Sequence, residues 1–173
     1  TRLCEKGGPH FGSPDKNPEL RLSTIENLGK ANIPVTTGIL IGIGETRTER
    51  LESLLEIKKL HNLYGHIQEI IVQNFIPKPD TKMKDTPAPT TEDLLWTLSM
   101  ARLIFGTSMN LQCPPNLNMG SLSEIIDSGI NDWGGVSPVT QDHVNPESPW
   151  PDLELLKLAT NNKGFELKER LAV

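Results

Sequence analysis

The stretch Val35 to Thr46, VTTGILIGIGET, constrains this chain more than any other. Its nine residues from Val35 to Ile43 are all apolar or small. Gly44, a lone carboxylate at Glu45 and a helix start at Thr46 follow directly. A near-continuous apolar run that ends in glycines before a helix reads as a buried parallel strand. In parallel α/β architectures ligands gather at the carboxyl ends of the strands. Gly42, Gly44 and Glu45 fall at such an end. The same pattern also fits a core strand with a tight turn and a solvated glutamate, and spacing alone does not separate the two.

The rest of the sequence alternates around that strand. Asn17 before Pro18 gives an N-cap and a first-turn proline, and Leu22, Ile25 and Leu28 supply an apolar stripe, so residues 18 to 31 are predicted helical. Thr46 and Glu49 have capping-box spacing, opening a helix that Gly65 ends. IQEIIVQ at 67 to 73 is rich enough in β-branched residues for the next strand, with Gln73, Asn74 and Phe75 at its carboxyl end. Residues 76 to 90 hold four prolines and read as a long loop. A helix from Thr90 or Thr91 to Phe105 and a short strand at 109 to 112 come next. Ser121 and Glu124 repeat the capping spacing before a short helix. A last strand is predicted at 130 to 133 and a terminal helix from Pro151. This alternation implies a parallel sheet with right-handed crossovers. Four such strands make half of an eight-stranded (β/α) barrel or part of a doubly wound sheet. Residues 1 to 160 read as one unit, and 161 to 173 as a polar tail or second terminal helix.

Composition narrows the function classes. The chain has 173 residues, a net charge of -5 and no basic run, which argues against a general nucleic-acid binder. No apolar stretch reaches about 18 residues, and no cleavable signal pattern follows Thr1, so no membrane partner and a cytoplasmic setting are expected. The first residue is not Met, so the chain reads as part of a longer one. Cys4 and Cys113 are too far apart in sequence for a C-x-x-C site, and the histidines lack metal-ligand spacing, so no metal ligands are expected.

Each predicted strand empties into glycine or polar residues, and parallel strands would bring these groups to one face. Gly42-Ile43-Gly44 falls short of a dinucleotide loop, because Arg47 stands where G-x-G-x-x-G needs its third glycine. Glu45 would repel a nearby phosphate and suits a ligand with hydroxyls or a cation. The run from Asp132 to Glu147 is dense in hydrogen-bonding groups. There His143 is a candidate acid or base, or a residue that ties the loop down. Trp133 either stacks on a planar ligand or packs in the core. His61 and His66 read as surface groups.

Gly38-Ile39-Leu40-Ile41-Gly42-Ile43-Gly44-Glu45 resembles the G-x-I-x-G-x-x-E motif on the fifth strand of the radical S-adenosylmethionine (SAM) family, with Leu40 in place of the usual Ile. Beyond it, HIQEIIVQNF, PPNL and DWGGVSPVTQDHVNPESPWP resemble the branch of that family that closes the deazaflavin ring, and the likeness runs from about Arg2 to Leu158. The resemblance implies the carboxyl-terminal half of a TIM-type (β/α) radical SAM barrel. It also implies a [4Fe-4S] cluster, a reductant and SAM. The implied substrate is an adduct of tyrosine and 5-amino-6-(D-ribitylamino)uracil, delivered by a tyrosine-coupling module or subunit. The resemblance would place Gly38, Leu40, Gly42, Gly44 and Glu45 beside SAM, with Gln73 and Asn74 reaching SAM or substrate. Arg21 would serve the SAM carboxylate, or be a solvated helix residue. Asn116, Trp133, Ser137, Thr140, His143 and Asn145 are the substrate-side candidates. The sequence departs from the family in lacking C-x-x-x-C-x-x-C, so by itself this stretch is expected to bind no cluster and to be inactive. A non-radical barrel or dinucleotide-binding enzyme, or a non-catalytic half-barrel needing a partner chain, are the alternatives.

Overall fold

The computed structural model describes residues 2–137 and 139–170. Pro138 in the long loop and residues 171–173 of the predicted tail lie outside them. Three parallel strands form one sheet in the order β1 (Val35–Ile41), β2 (Ile67–Asn74), β3 (Asn110–Gln112). Around them run α1 (Pro18–Lys30), α2 (Arg47–Tyr64), α3 (Thr91–Phe105), α4 (Leu122–Asp127) and α5 (Leu153–Asn162). The predicted α/β class with a parallel sheet is what the structure shows. No helix of the described residues is long and apolar enough to cross a membrane.

Local chemistry sets the boundaries. The Asn17 side chain accepts from the Glu19 amide at 2.8 Å, and Pro18 occupies the first turn of α1. The Thr46 hydroxyl accepts from Glu49 N while the Glu49 carboxylate accepts from Thr46 N, so the capping box of α2 forms as predicted. Gly65, at φ +64°, ends that helix in the left-handed region. The packing of α1 against the end of α2 depends on Gly29, where a Cβ would sit 2.6 Å from the Tyr64 ring.

Strand alternation divides the sheet into two faces. Ile41, Ile70, Val72 and Leu111 are buried on one, in a cluster with Leu54 and Ile57 of α2 and Leu94, Leu98 and Ala101 of α3. Each Val, Leu or Ile among them contributes roughly 1.5–3 kcal/mol of transfer free energy. The other face carries Thr36, Gly38 and Leu40 of β1. Register places these beside Glu69, Ile71 and Gln73 of β2, and Glu69 and Ile71 beside Asn110 and Gln112 of β3.

Several expectations are corrected. The strand at 35 to 43 stops at Ile41, because Gly42 turns to φ +91°. The strand at 130 to 133 reduces to a single bridge between Asp132 and Gln112. Asn131 is the reason: its amide donates to Leu111 O at 3.2 Å, and its side-chain oxygen then takes Leu111 N at 2.7 Å, consuming the β3 edge. Arg102 of α3 holds the approach by donating to Gly129 O, Met109 O and Asn131 Oδ1. Ser121 makes no capping bond at α4, since its backbone (φ -135°, ψ 22°) is not that of a cap. His66 is buried with Nε2 2.9 Å from Ile25 O, contrary to its reading as a surface group. Of the two readings of the tail, a second helix does not form within the described residues, which stay mostly exposed. After α5 it turns back, Leu167 packs on the core, and Arg170 pairs with Glu69 at 2.6 Å and with Asp132.

Candidate functional site

The carboxyl ends of the three parallel strands lie along one edge, as the alternation predicts. At β1 the chain turns through Gly42 and Gly44, at φ +91° and +102°, values that an L side chain strains to adopt. Glu45 folds back over this turn. Its Oε1 accepts from Gly42 N at 2.7 Å and its Oε2 from Ile43 N at 2.8 Å, so successive amides form a small anion nest filled by the chain's own carboxylate. Arg50, in the first turn of α2, donates through Nε to Glu45 Oε1 at 2.7 Å. Both side chains are almost fully buried, at 6% and 7% exposed. Sequence reasoning placed Glu45 toward a ligand. Geometrically, both its oxygens are already engaged by N–H donors of the turn and of Arg50.

The network continues outward. Arg50 Nη1 donates to Asp93 Oδ1 and Thr97 Oγ1 of α3, both at 3.2 Å. Arg47 binds the same Asp93 oxygen at 2.9 Å while its guanidinium lies 4.9 Å from the Trp96 ring centroid. The Arg47 hydrogen bond, more than the nearby Arg50 charge, holds the Asp93 carboxyl below its ordinary range. Arg2 donates to Gly44 O and to Glu49 Oε2, each at 2.7 Å. That bond, with the Thr46 amide, lowers Glu49 to about 2. Arg2, Arg50, Asp93 and Thr97 were all missed by sequence reasoning. The only signal for Arg50 was an arginine one turn into the helix that follows the glycine turn.

The remaining strand-end residues separate by face. Gly38, Leu40 (40% exposed) and Gln73 share the face opposite the helix-covered core. Gly38 belongs there because a Cβ on it would fall 1.9 Å from Ile71 O. Asn74 points the other way, with Ile41, and its Oδ1 accepts from Asn118 Nδ2 at 2.9 Å. It lines a cavity of about 200 Å³ with Ile76, Pro89, Thr91 and Asn118. Arg21 lies exposed in α1, where its charge is felt by Asp15.

A second cluster joins the loops beyond β2 and β3. Asn116 is buried, and its Nδ2 donates to Asp142 Oδ2 at 2.9 Å and Ser148 O at 3.0 Å. Its Oδ1 is buried with no partner among the described residues. The buried Asn145 donates to the same Asp142 oxygen at 3.1 Å and accepts from Lys78 Nζ at 3.0 Å. Burial alone would raise the Asp142 carboxyl, but donors from Asn145, Val144 and Asn116 outweigh it and lower it. Ser137 Oγ accepts from Thr140 N at 2.9 Å and Thr140 Oγ1 at 2.7 Å, a local turn beside a cavity of about 560 Å³ that Gln141 and Trp150 also line. His143 is exposed on this loop. Trp133 is buried, and its indole donates to Thr160 Oγ1 at 3.1 Å, which is the geometry of core packing. Burial pushes the Cys113 thiol up to about 12, and no group of three or more His, Cys, Asp or Glu among the described residues is placed to hold a metal.

A 7,8-didemethyl-8-hydroxy-5-deazariboflavin synthase of Methanopyrus kandleri is 54% identical over 172 residues, covering 99% of this chain and 51% of that protein. This chain is a homologue of the FO synthases. An FO synthase of Streptomyces avermitilis is 52% identical over all of the chain but only 20% of its own length, and a Methanococcus maripaludis synthase is 51% identical over 52% of its length. The chain thus spans about half of the shorter relatives and a fifth of the longer one. No family model matches it. Near-equal aligned stretches occupy such different shares that the Streptomyces FO synthase must be more than twice as long, so in the FO synthases this stretch is one part of a larger chain.

Proposed function

We propose that this chain supplies the SAM- and substrate-facing strand ends of a radical SAM lyase that forms the deazaflavin FO. The substrate is the adduct of tyrosine and 5-amino-6-(D-ribitylamino)uracil, and the reaction includes hydrogen abstraction, ring closure and ammonia release. The observation that carries this reading is 54% identity along 99% of the chain to a synthase of that name. The sheet face that carries Leu40 and Gln73, open at the strand ends although Arg170 covers Glu69 farther along it, is taken as the lumen of a (β/α) barrel completed by residues outside this chain. It carries Leu40 and Gln73 beside a glycine turn, and nothing among the described residues lies within 4 Å of a Cβ built on Gly44. Such an edge lets a flat adenine approach the backbone of Gly42 to Gly44, with Leu40 against the ring, Gln73 as polar partner and Arg21 for the carboxylate. Asn116, Ser137, Thr140, His143 and Asn145 are proposed to face the substrate. Of these, Asn116 has the strongest support, a buried carbonyl oxygen without a donor among the described residues.

Reductive cleavage of bound SAM would supply the hydrogen-abstracting radical; the residues of this chain bind and orient. A [4Fe-4S] cluster does not fit the residues present. The sequence holds only two cysteines, Cys113 is buried, and no group of three or more His, Cys, Asp or Glu among the described residues is placed to hold a metal. The cluster ligands, the reductant and the tyrosine-coupling module are therefore assigned to parts outside this chain. The test is an anaerobic assay of the full-length protein with SAM, reductant, tyrosine, the pyrimidine and a tyrosine-coupling partner. Deazaflavin fluorescence and mass are expected. No product, while the Methanopyrus protein gives product in parallel, would overturn the assignment.

A further inference from the structure

Arg50 is a buried cation that no motif of the sequence marks. Its guanidinium satisfies three acceptors on two segments: Glu45 after β1, and Asp93 and Thr97 of α3. Removing it would leave the Glu45 carboxylate almost wholly buried against two backbone amides with only the exposed Arg2 as a nearby cation, which is costly in a low-dielectric site. Glu45 in turn fixes the amides of Gly42 and Ile43, and so the direction in which the turn presents its backbone. A lysine keeps the charge but cannot reproduce the fork, because an ammonium is a point donor whereas guanidinium geometry is fixed.

We propose that Arg50 is a positioning residue. Through Glu45 it holds the Gly42–Glu45 turn in the conformation that receives the adenosyl part of SAM, and Asp93 holds Arg50. The proposal rests on the function stated above. The outward face of the turn is left for the ligand, while its inward face is locked by charge-assisted bonds.

The experiment compares wild-type and Arg50→Lys full-length protein by SAM binding without reductant, adduct binding, and amide exchange across residues 42 to 46. Arg50→Lys is expected to weaken SAM about tenfold, the loss of one charge-assisted bond. Exchange in the turn should speed up, while adduct affinity moves by less than about twofold. Asp93→Asn, a milder change kept in case Arg50→Lys fails to fold, should move SAM affinity and exchange the same way by a smaller factor. A purely structural role would lower Tm and the folded fraction while leaving the SAM affinity of the folded molecules unchanged, and that result overturns the proposal. Unchanged exchange in both variants also overturns it. A wild-type protein that binds no SAM overturns the function reading instead, and the exchange arm still judges whether Arg50 orders the turn.

Discussion

Gly42 and Gly44 sit two residues apart in the same turn, both with strongly positive φ, yet they should respond very differently to alanine. At either position an L side chain costs about 1–3 kcal/mol of backbone strain. At Gly44, where a Cβ meets nothing within 4 Å among the described residues, strain is the whole cost. At Gly42 the new Cβ would lie 2.4 Å from Pro89 Cδ and 2.7 Å from Pro89 Cγ. A proline ring has no rotamer with which to withdraw, so the loop before α3 must shift, adding an overpacking cost of about 1–3 kcal/mol. Gly42→Ala should therefore destabilise by about 2–6 kcal/mol and Gly44→Ala by about 1–3 kcal/mol. Matched urea titrations of the intact protein measure the difference. Pro89→Gly in each background completes a cycle that isolates the clash from the effect of losing proline. Equal losses for the two alanine variants, or a cycle with no coupling between positions 42 and 89, would refute the argument.

Thiol labelling of the native protein should modify Cys4 well before Cys113, whose buried thiol stays protonated far above neutral pH; equal rates would contradict its burial. Trp133→Phe should cost about 2–4 kcal/mol in chemical denaturation, from lost volume and the lost bond to Thr160, yet leave adduct affinity unchanged; a selective loss of affinity would restore Trp133 as a ligand contact. Glu49 should titrate near 2 by nuclear magnetic resonance, and Arg2→Ala should return it toward its ordinary 4.5. Because the folded value is the depressed one, the stabilising contribution of this contact is complete above the ordinary carboxyl range. It is lost as pH falls through about 2, and an ordinary midpoint in the wild type would remove it.

Hydrophobic periodicity made the helices, the first two strands and the parallel order legible, because those signals are local and repeat over many residues. The capping box at Thr46 was legible for the same reason, since its two partners are three residues apart. At Ser121 the same spacing misled: residues 119 to 121 form a tight turn that denies Ser121 a cap conformation. The fourth strand failed on a long-range effect. Asn131 reads as an ordinary strand residue, but its side chain takes the Leu111 amide that a ladder would need, and Arg102 fixes that arrangement from another helix. The docking of the tail was equally illegible, because Arg170 meets Glu69 across 101 positions of sequence.

The glycine turn shows where reading a site from sequence reaches its limit. A lone acid after G-x-G at a strand end suggests a group offered to a ligand, and residue type and spacing support that. Which way the carboxylate faces depends on an unmarked arginine. Without Arg50, a carboxylate in the nest of Gly42 and Ile43 amides would be buried with partners but only the exposed Arg2 as a nearby cation, and swinging outward would cost less. With Arg50 anchored by Asp93 and Thr97, the inward state gains charge-assisted bonds in a nearly dry environment. The motif thus does its work through backbone shape. The acid sets the shape, the arginine makes the acid's position stable, and on the proposed function the ligand would meet the glycines. Substitutions at Glu45 and Arg50 should therefore share one phenotype, a disordered turn with weakened SAM binding, and a double variant should lose little more than either single change.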